Sequence, residues 1–213
     1  MKKMSTLFKS TYTGSFSNIT QEVREENQWV LDGEGVATIK FDGTACLILE
    51  NKLFKRWDRK LSKKYFIQAA KAKKNGLPFV AEEFMFKELK PGAIACNASF
   101  DPITYHWPHW IPAEGKDSVY HIEGFENRDL IEDGTYELVG PKLQGNPYNL
   151  TQHELWKHGS VTVAIQDYSF ESLRTIIEGL HEEGLVFHHP DGRKCKLRRS
   201  DFNFSWNDEH IVR

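Results

Sequence analysis

One lysine, Lys40, lies in a setting that suits covalent nucleotide chemistry. It begins the run Lys-Phe-Asp-Gly, which is embedded in the segment Ala37 to Thr44. A lysine amine attacks an α-phosphorus only when it is neutral, so its pKa must be lowered by burial or by nearby cations. Asp42 is predicted to orient Lys40 or to help hold a metal ion, and Gly43 lets the backbone approach a ligand closely. So short a run recurs by chance, and the rest of the chain must supply its context.

Three later segments carry groups that the same chemistry needs. Glu137 lies in a strand-like run, where its carboxylate could accept hydrogen bonds from ribose hydroxyls. Glu183 precedes another apolar run and is suited to holding a divalent cation against phosphate. In residues 194–198 cations alternate with apolar residues, so a strand would place three cations on one face: Lys194, Lys196 and Arg198. That face could bind a triphosphate.

A strongly basic segment follows Lys40. Between Lys52 and Lys74 there are ten basic residues and one acid, Asp58, with aromatic residues interleaved. This composition is typical of a phosphate-binding surface. The alternative is a solvated basic face without a partner.

The elements that must position these groups can be read from periodicity. Residues 35–50 read as two strands joined by a turn at Asp42-Gly43, which places Lys40 at a strand end. Further strands are predicted at 134–140 and 160–165.

After them, Ser169 is a plausible N-cap for a helix whose apolar stripe includes Leu173 and Ile177 and which stops near Gly184. A hairpin follows, with Pro190-Asp191-Gly192 as its turn. Residues 91–112 read as a loop-rich, aromatic stretch, and the polar tail from Asn203 as partly mobile. This mixture predicts an α+β fold with antiparallel sheets and flanking helices.

Composition limits the class of protein. The 213 residues, with 39% hydrophobic and 27% charged residues and a net charge of -2, predict one globular domain spanning 1–213. No apolar stretch reaches the ~20 residues of a membrane span, and the basic N-terminus lacks the apolar core of a secretory signal. We therefore expect an intracellular, most simply cytoplasmic, protein without membrane contact. Three widely spaced cysteines predict buried thiols, not disulfides or zinc ligands.

The order of these motifs resembles that of the covalent nucleotidyltransferases, the ATP-dependent ligases and capping enzymes. Three longer strings, at 101–112, 134–147 and 183–192, resemble more narrowly the 5'-to-3' RNA ligase family of vertebrates, bacteria and large viruses. The match runs from about Lys40 to Phe202. It implies a nucleotidyltransferase domain without a separate oligonucleotide-binding domain.

The resemblance also implies roles for individual residues. Lys40 would be the adenylylated nucleophile, Glu137 the ribose contact and Glu183 the metal ligand. Arg56 lies where the family supplies an arginine to ribose or the 5'-phosphate, although Lys55 and Arg59 are close alternatives. The α-phosphate would be bound by Lys196 and Arg198, with Lys194 and Lys142 as further phosphate contacts. Arg198 stands where a second lysine is common, so phosphate binding should survive while a general-acid role becomes doubtful.

The implied function is ATP-dependent joining of RNA ends that carry a 5'-phosphate and a 3'-hydroxyl, with Mg2+ or Mn2+, by a protein expected to be a monomer. Two alternatives stay open. A capping-type guanylyltransferase would use the same lysine with GTP, and an RNA-end-binding protein would hold a nucleotide without reacting. DNA joining is disfavoured because the chain is too short for a second domain that would encircle a duplex.

Overall fold

The computed structural model describes residues 4–13, 16–128 and 132–205, and the side chains of residues 12–17 are not described. The chain divides into two compact units. The middle unit runs from Ala45 to Gly134, and the terminal unit comprises the residues up to Thr44 together with those from Thr135 onward. The expectation of a single domain over 1–213 stays a prediction.

A five-stranded sheet organises the terminal unit. Its strands, in spatial order, are β1 (Ser5–Thr6), β13 (Lys194–Arg198), β12 (Gly184–His188), β4 (Val36–Lys40) and β11 (Thr162–Val163). Only the pairing of β1 with β13 is parallel; the others are antiparallel. Lys40 is the last residue of β4 and the hairpin closes between His188 and Lys194, both as predicted. The predicted strand at 160–165 is confirmed only as the two residues of β11.

The remaining strands of this unit form two antiparallel pairs. One is β2 (Phe8–Thr13) with β3 (Phe16–Val23), and the other is β9 (Gly134–Val139) with β10 (Glu154–Lys157). The helical segments are α1 (Gln28–Leu31), α4 (Phe170–Gly179) and 3₁₀ turns at Glu25–Asn27 and Arg199–Phe202.

Helix α4 covers one face of the five-stranded sheet. The Ser169 side chain accepts a hydrogen bond from the Ser172 amide, which confirms the predicted N-cap. Leu173 and Ile177 are fully buried in the same core cluster as the sheet residues Ile39, Leu185 and Leu197. The helix ends at Gly179, five residues before the predicted stop, because Leu180 turns to an extended conformation and Gly184 begins β12.

The middle unit is built on four strands. They are β5 (Thr44–Leu49), β6 (Lys52–Lys60), β8 (His106–Pro112) and β7 (Ile94–Ala95), which pair antiparallel in that order. The helices are α2 (Lys63–Lys74), α3 (Val119–Glu126) and 3₁₀ turns at Glu83–Met85 and Lys116–Ser118. The basic segment thus divides between strand β6 and helix α2.

The prediction that residues 91–112 form a loop is wrong for their last third. Strand β8 pairs with β6 over seven residues, and Trp107, His109 and Trp110 are buried. The strand was not predicted because it contains two prolines, and proline lacks the amide hydrogen that normally bonds to a neighbouring strand. His109 bonds through Nδ1 to the Trp107 carbonyl at 2.8 Å, so this histidine is a packed residue of the unit.

Together these elements confirm an α+β protein in which antiparallel pairing predominates and helices are few. Within the described ranges, no helix is long and apolar enough to cross a membrane. Cys46 and Cys195 are buried free thiols as predicted, whereas Cys96 is half-buried. Burial raises the pKa of the Cys195 thiol to about 12, which keeps it protonated. The end of the predicted mobile tail, residues 206–213, lies outside the described residues.

Candidate active site

The face of the five-stranded sheet opposite α4 carries the candidate site. Gly184 on β12 is paired with Lys40 on one side and with Arg198 on the other. Val186 is likewise paired with Thr38 and with Lys196. Directly opposed residues share a face, and so do residues two apart along a strand. The register therefore brings Lys40, Lys196 and Arg198 onto one face.

Lys40 is paired with a carboxylate on this face. Its Nζ contacts Glu183 Oε2, and both side chains are largely buried. It also lies 3.4 Å from the Phe41 carbonyl oxygen. Lysine and glutamate, separated by 143 positions in sequence, are brought together because Gly184 lies opposite Lys40.

The two cations beyond β12 have different environments. Burial, then the charges of Arg198 and Lys40, lower the pKa of the Lys196 ammonium. Burial also acts to lower the pKa of Arg198, but its hydrogen bond to Asp201 and the charges of Asp201 and Glu183 raise it overall. Arg198 Nη2 donates to Asp201 Oδ1 at 2.7 Å. The Arg198 guanidinium therefore stays charged and is held in place by Asp201. The Lys196 ammonium, in contrast, would be stabilised by an anionic ligand.

The turn after Lys40 is fixed from two directions. The Asp42 amide donates to the Tyr148 hydroxyl at 2.7 Å. A Cβ atom at Gly43 would lie only 2.1 Å from the Leu138 carbonyl oxygen on β9. Glycine is therefore required at position 43 because two stretches of backbone approach so closely. The Trp156 ring packs on Phe41 and on Tyr148, with centroids 5.0 and 4.6 Å apart.

Glu137 lies against the same turn. The Cβ position of Gly43 is 3.1 Å from Glu137 Cγ. The Glu137 carboxylate is nearly buried and accepts a hydrogen bond from His158 Nε2 at 2.8 Å. Lys40 and Glu137 therefore flank one turn.

Carboxylates near Lys40 offer the oxygen donors that Mg2+ prefers. Burial raises the pKa of the Tyr148 hydroxyl, and the charges of Asp42, Glu182 and Glu183 raise it further. Within the described parts of the chain, no group of three or more His, Cys, Asp or Glu side chains could hold a metal ion by itself. The carboxylates of Glu183 and Asp42 are donors of the kind that suits a magnesium ion with phosphate and water as its remaining ligands.

The other predicted residues lie farther from this arrangement or in the other unit. Lys194 is exposed and opposes His188 at the hairpin end, and Lys142 is exposed in the turn after β9. Arg56 belongs to the middle unit, where it is ion-paired with Asp58 and lies over the Trp110 ring at 6.0 Å. The roles predicted for these three residues stay predictions.

His188 gives the terminal unit a pH dependence. Burial, then the charges of Lys194 and His158, lower its pKa from 6.5 to about 4. The unfolded chain then binds a proton that the folded chain does not, so stability is full above pH 6.5 and falls as the pH drops toward 4. We expect a loss of about 2 kcal/mol over this window, after allowance for solvent screening. Urea unfolding of the protein and of His188→Gln between pH 4 and 7 measures it; equal pH slopes for the two proteins would contradict the assignment.

Sequence patterns did not single out several residues that support the site. Tyr148 and Trp156 hold the turn after Lys40, His158 holds Glu137, and Asp201 holds Arg198. Asp201 could have been recognised as an acid following a basic strand. The other three follow β9 or lie on β10, and no local pattern distinguishes them from ordinary polar and aromatic residues.

An α+β unit that collects a lysine, a glutamate partner and two further cations on one sheet face is compatible with a nucleotidyltransferase-like domain. No family model matches the chain. The chain is 28% identical to the protein named RNA ligase 1 of Pongo abelii over 227 positions, which cover 80% of this chain and 68% of that protein. It is 28% identical to RNA ligase 1 of Rattus norvegicus and 27% identical to that of Mus musculus, over the same shares of each chain. These similarities confirm the resemblance to RNA ligases that the motifs indicate.

Proposed function

We propose that this protein is an ATP-dependent RNA ligase that joins a 5'-phosphate to a 3'-hydroxyl through a lysyl-AMP intermediate on Lys40. The observation that carries the proposal is the shared sheet face of Lys40, Lys196 and Arg198, with Glu183 in contact with Lys40. The proposed nucleophile and the proposed phosphate-binding cations thus lie on the two strands that flank β12. The similarity to proteins named RNA ligase 1 supports RNA as the substrate.

The chemistry follows from the positions of these groups. The neutral Lys40 amine attacks the α-phosphorus of ATP; a nitrogen–phosphorus bond forms, the bond from the α-phosphorus to the bridging oxygen breaks, pyrophosphate leaves, and the amine releases one proton to solvent. Lys196 and Arg198 stabilise the negative charge on the phosphate oxygens during this step. Glu183 and Asp42 would hold the divalent ion, which supplies further charge neutralisation when bound.

Two transfers complete the reaction. An oxygen of the RNA 5'-phosphate attacks the phosphorus of lysyl-AMP, the nitrogen–phosphorus bond breaks, and Lys40 is regenerated. The 3'-hydroxyl of the second end then attacks the 5'-phosphorus and AMP leaves, which forms the phosphodiester. A covalent carrier divides one difficult step into easier ones, and the same cations serve each transfer.

Labelled nucleotide tests the proposal directly. Protein incubated with α-labelled ATP or GTP and a divalent ion, then run on a denaturing gel, should retain label from ATP and release it when RNA with a 5'-phosphate is added. Retention from GTP alone would favour the capping-type alternative. Absence of any covalent label from either nucleotide would exclude both enzymes and leave the RNA-end-binding alternative.

Helix α2 is proposed to bind RNA phosphates. Its lysines are exposed: Lys63, Lys64, Lys71, Lys73 and Lys74. On β6, Arg59 is buried against Trp107 and Lys55 donates to Ser118 Oγ at 2.8 Å, whereas Lys52 and Lys60 at the two ends of the strand are exposed. Exposed cations are therefore more numerous on the helix, and we expect it to supply most of the phosphate contacts.

Replacing three of these residues, as Lys63→Ala, Lys71→Ala and Lys74→Ala together, should weaken RNA binding. Each lost phosphate contact on a single strand reduces the slope of log K against log salt by about 0.7, so we expect a reduction of about 2. Fluorescence anisotropy at several salt concentrations measures this. A matched triple change at Lys9, Lys116 and Lys157 should leave the slope unchanged; a flat dependence for the unaltered protein would remove this part of the proposal.

A further inference from the structure

We infer that His158 is a positioning residue that holds the Glu137 carboxylate in place for the nucleotide ribose. Through this contact, His158 sets the preference for a nucleotide with intact ribose hydroxyls. The inference rests on the proposed function, because it assigns a role within the same nucleotide site. All the residues concerned belong to the terminal unit.

The Glu137 carboxylate depends on this histidine. It is almost fully buried on β9, and in the described part of the chain its side-chain hydrogen-bond partner is His158 Nε2, at 2.8 Å. A carboxylate only accepts, so the proton of this bond lies on His158 Nε2. The bond engages Oε2 and leaves Oε1 as an acceptor for a hydroxyl group.

The backbone fixes His158 beside Glu137. Its amide donates to the Thr135 carbonyl at 3.0 Å, which extends the pairing of β9 with β10 by one residue. The chain then turns, and the Ser160 hydroxyl donates to the Lys157 carbonyl at 2.8 Å. The imidazole is therefore placed by the strand pair that also carries Glu137.

Within the described structure, the second ring nitrogen of His158 makes no contribution to holding the ring. His158 Nδ1 is buried and has no hydrogen-bond partner among the described residues. A buried polar atom without a partner is unfavourable, so its burial must be offset by another interaction of the same side chain. The hydrogen bond to Glu137 offsets the free-energy cost of burying this ring.

Glu137 in turn lies beside the turn that follows the reacting lysine. Its Cγ is 3.1 Å from the Cβ position of Gly43, three residues after Lys40. A carboxylate held at this distance from the turn can accept from the sugar of a nucleotide whose α-phosphorus faces Lys40. Movement of Glu137 would therefore weaken sugar recognition without removing the nucleophile.

The test compares ATP with 2'-deoxy-ATP and 3'-deoxy-ATP in single-turnover formation of the covalent adduct. For the unaltered protein, loss of the hydroxyl bonded to Glu137 should slow adduct formation at subsaturating nucleotide by about tenfold or more, as expected for a hydrogen bond to a charged group. His158→Ala should slow adduct formation with ATP by about tenfold and leave the rate with the affected deoxynucleotide nearly unchanged. The ratio of the two rates should therefore approach one. His158→Gln, whose amide can donate to Glu137, should retain most of the preference.

A matched control is His189→Ala. This change removes another histidine whose Nε2 bonds a glutamate, Glu34, at 2.9 Å, on the hairpin. It should leave the preference between ATP and the deoxynucleotides unchanged. The inference is overturned if His158→Ala keeps the preference of the unaltered protein for both deoxynucleotides, or if the unaltered protein forms adduct equally well with all three. Failure of the unaltered protein to form any adduct would instead overturn the proposed function, and the inference with it.

Discussion

Lys40→Ala and Lys40→Arg should both lose covalent nucleotide labelling completely, a fall of at least about a thousandfold. Alanine removes the amine. Arginine keeps a cation in contact with Glu183 but cannot be deprotonated in a protein, so it cannot act as a nucleophile. The pair of variants therefore separates loss of charge from loss of nucleophile. Intact mass and gel labelling with α-labelled ATP measure the outcome.

The same variants should still seal RNA whose 5' end has been adenylylated chemically. In the proposed reaction Lys40 only carries AMP, so a substrate that already bears AMP bypasses it. We expect sealing within about tenfold of the unaltered protein, since Lys196 and Arg198 remain. Lys9→Ala, which breaks the contact of Lys9 with Glu22, is the matched control and should leave labelling intact. If Lys40→Ala retains label, the nucleophile is another residue. If the unaltered protein binds RNA but is not labelled, the RNA-end-binding alternative is favoured.

Arg199→Met should strongly destabilise the terminal unit, by about 3 to 5 kcal/mol. The Arg199 guanidinium is buried and donates to four backbone carbonyls, those of Ile177, Glu178, Leu180 and Ser205, at 2.6 to 3.2 Å. Three of them belong to the last turn of α4 and its C-cap, where carbonyls lack partners within the helix. Methionine fills similar space but donates no hydrogen bond, so the carbonyls of Glu178 and Leu180 lose the guanidinium and that of Ile177 keeps the Leu180 amide.

Urea unfolding followed by circular dichroism measures this effect. Arg199→Lys should cost less, about 1 to 3 kcal/mol, because an ammonium can reach one or two of the carbonyls but lacks the planar fork. Arg193→Met, on the exposed hairpin where Arg193 pairs with Asp191, should change stability by no more than about 0.5 kcal/mol. If Arg199→Met unfolds at the same urea concentration as Arg193→Met, the guanidinium does not hold the end of α4.

Local sequence determined the parts of the site that lie within one element. The Asp-Gly pair predicts that Lys40 ends its strand, and the period of two predicts that Lys196 and Arg198 share a face; both are observed. The helix N-cap at Ser169 and the hairpin around Asp191 also follow from local chemistry. These predictions succeed because hydrogen bonding and side-chain alternation over a few residues decide them.

Contacts between distant segments could not be predicted in this way. The pairing of His158 with Glu137 depends on the register of β9 with β10, and the role of Arg199 depends on where α4 ends. Strand β8 was missed because its prolines and its burial on both sides conceal the alternation of a strand. In each case tertiary packing, not local preference, fixes the outcome.

The close approach of Gly43 to the Leu138 carbonyl has a consequence for how this protein can vary. Because there is no room for a side chain between the two backbones, the segment around Lys40 and strand β9 must keep matching shapes, although more than ninety positions separate them. An exchange of residues 36–44 with those of a relative would preserve this fit only if residues 134–140 came from the same relative. We therefore expect the two segments to be exchangeable only together.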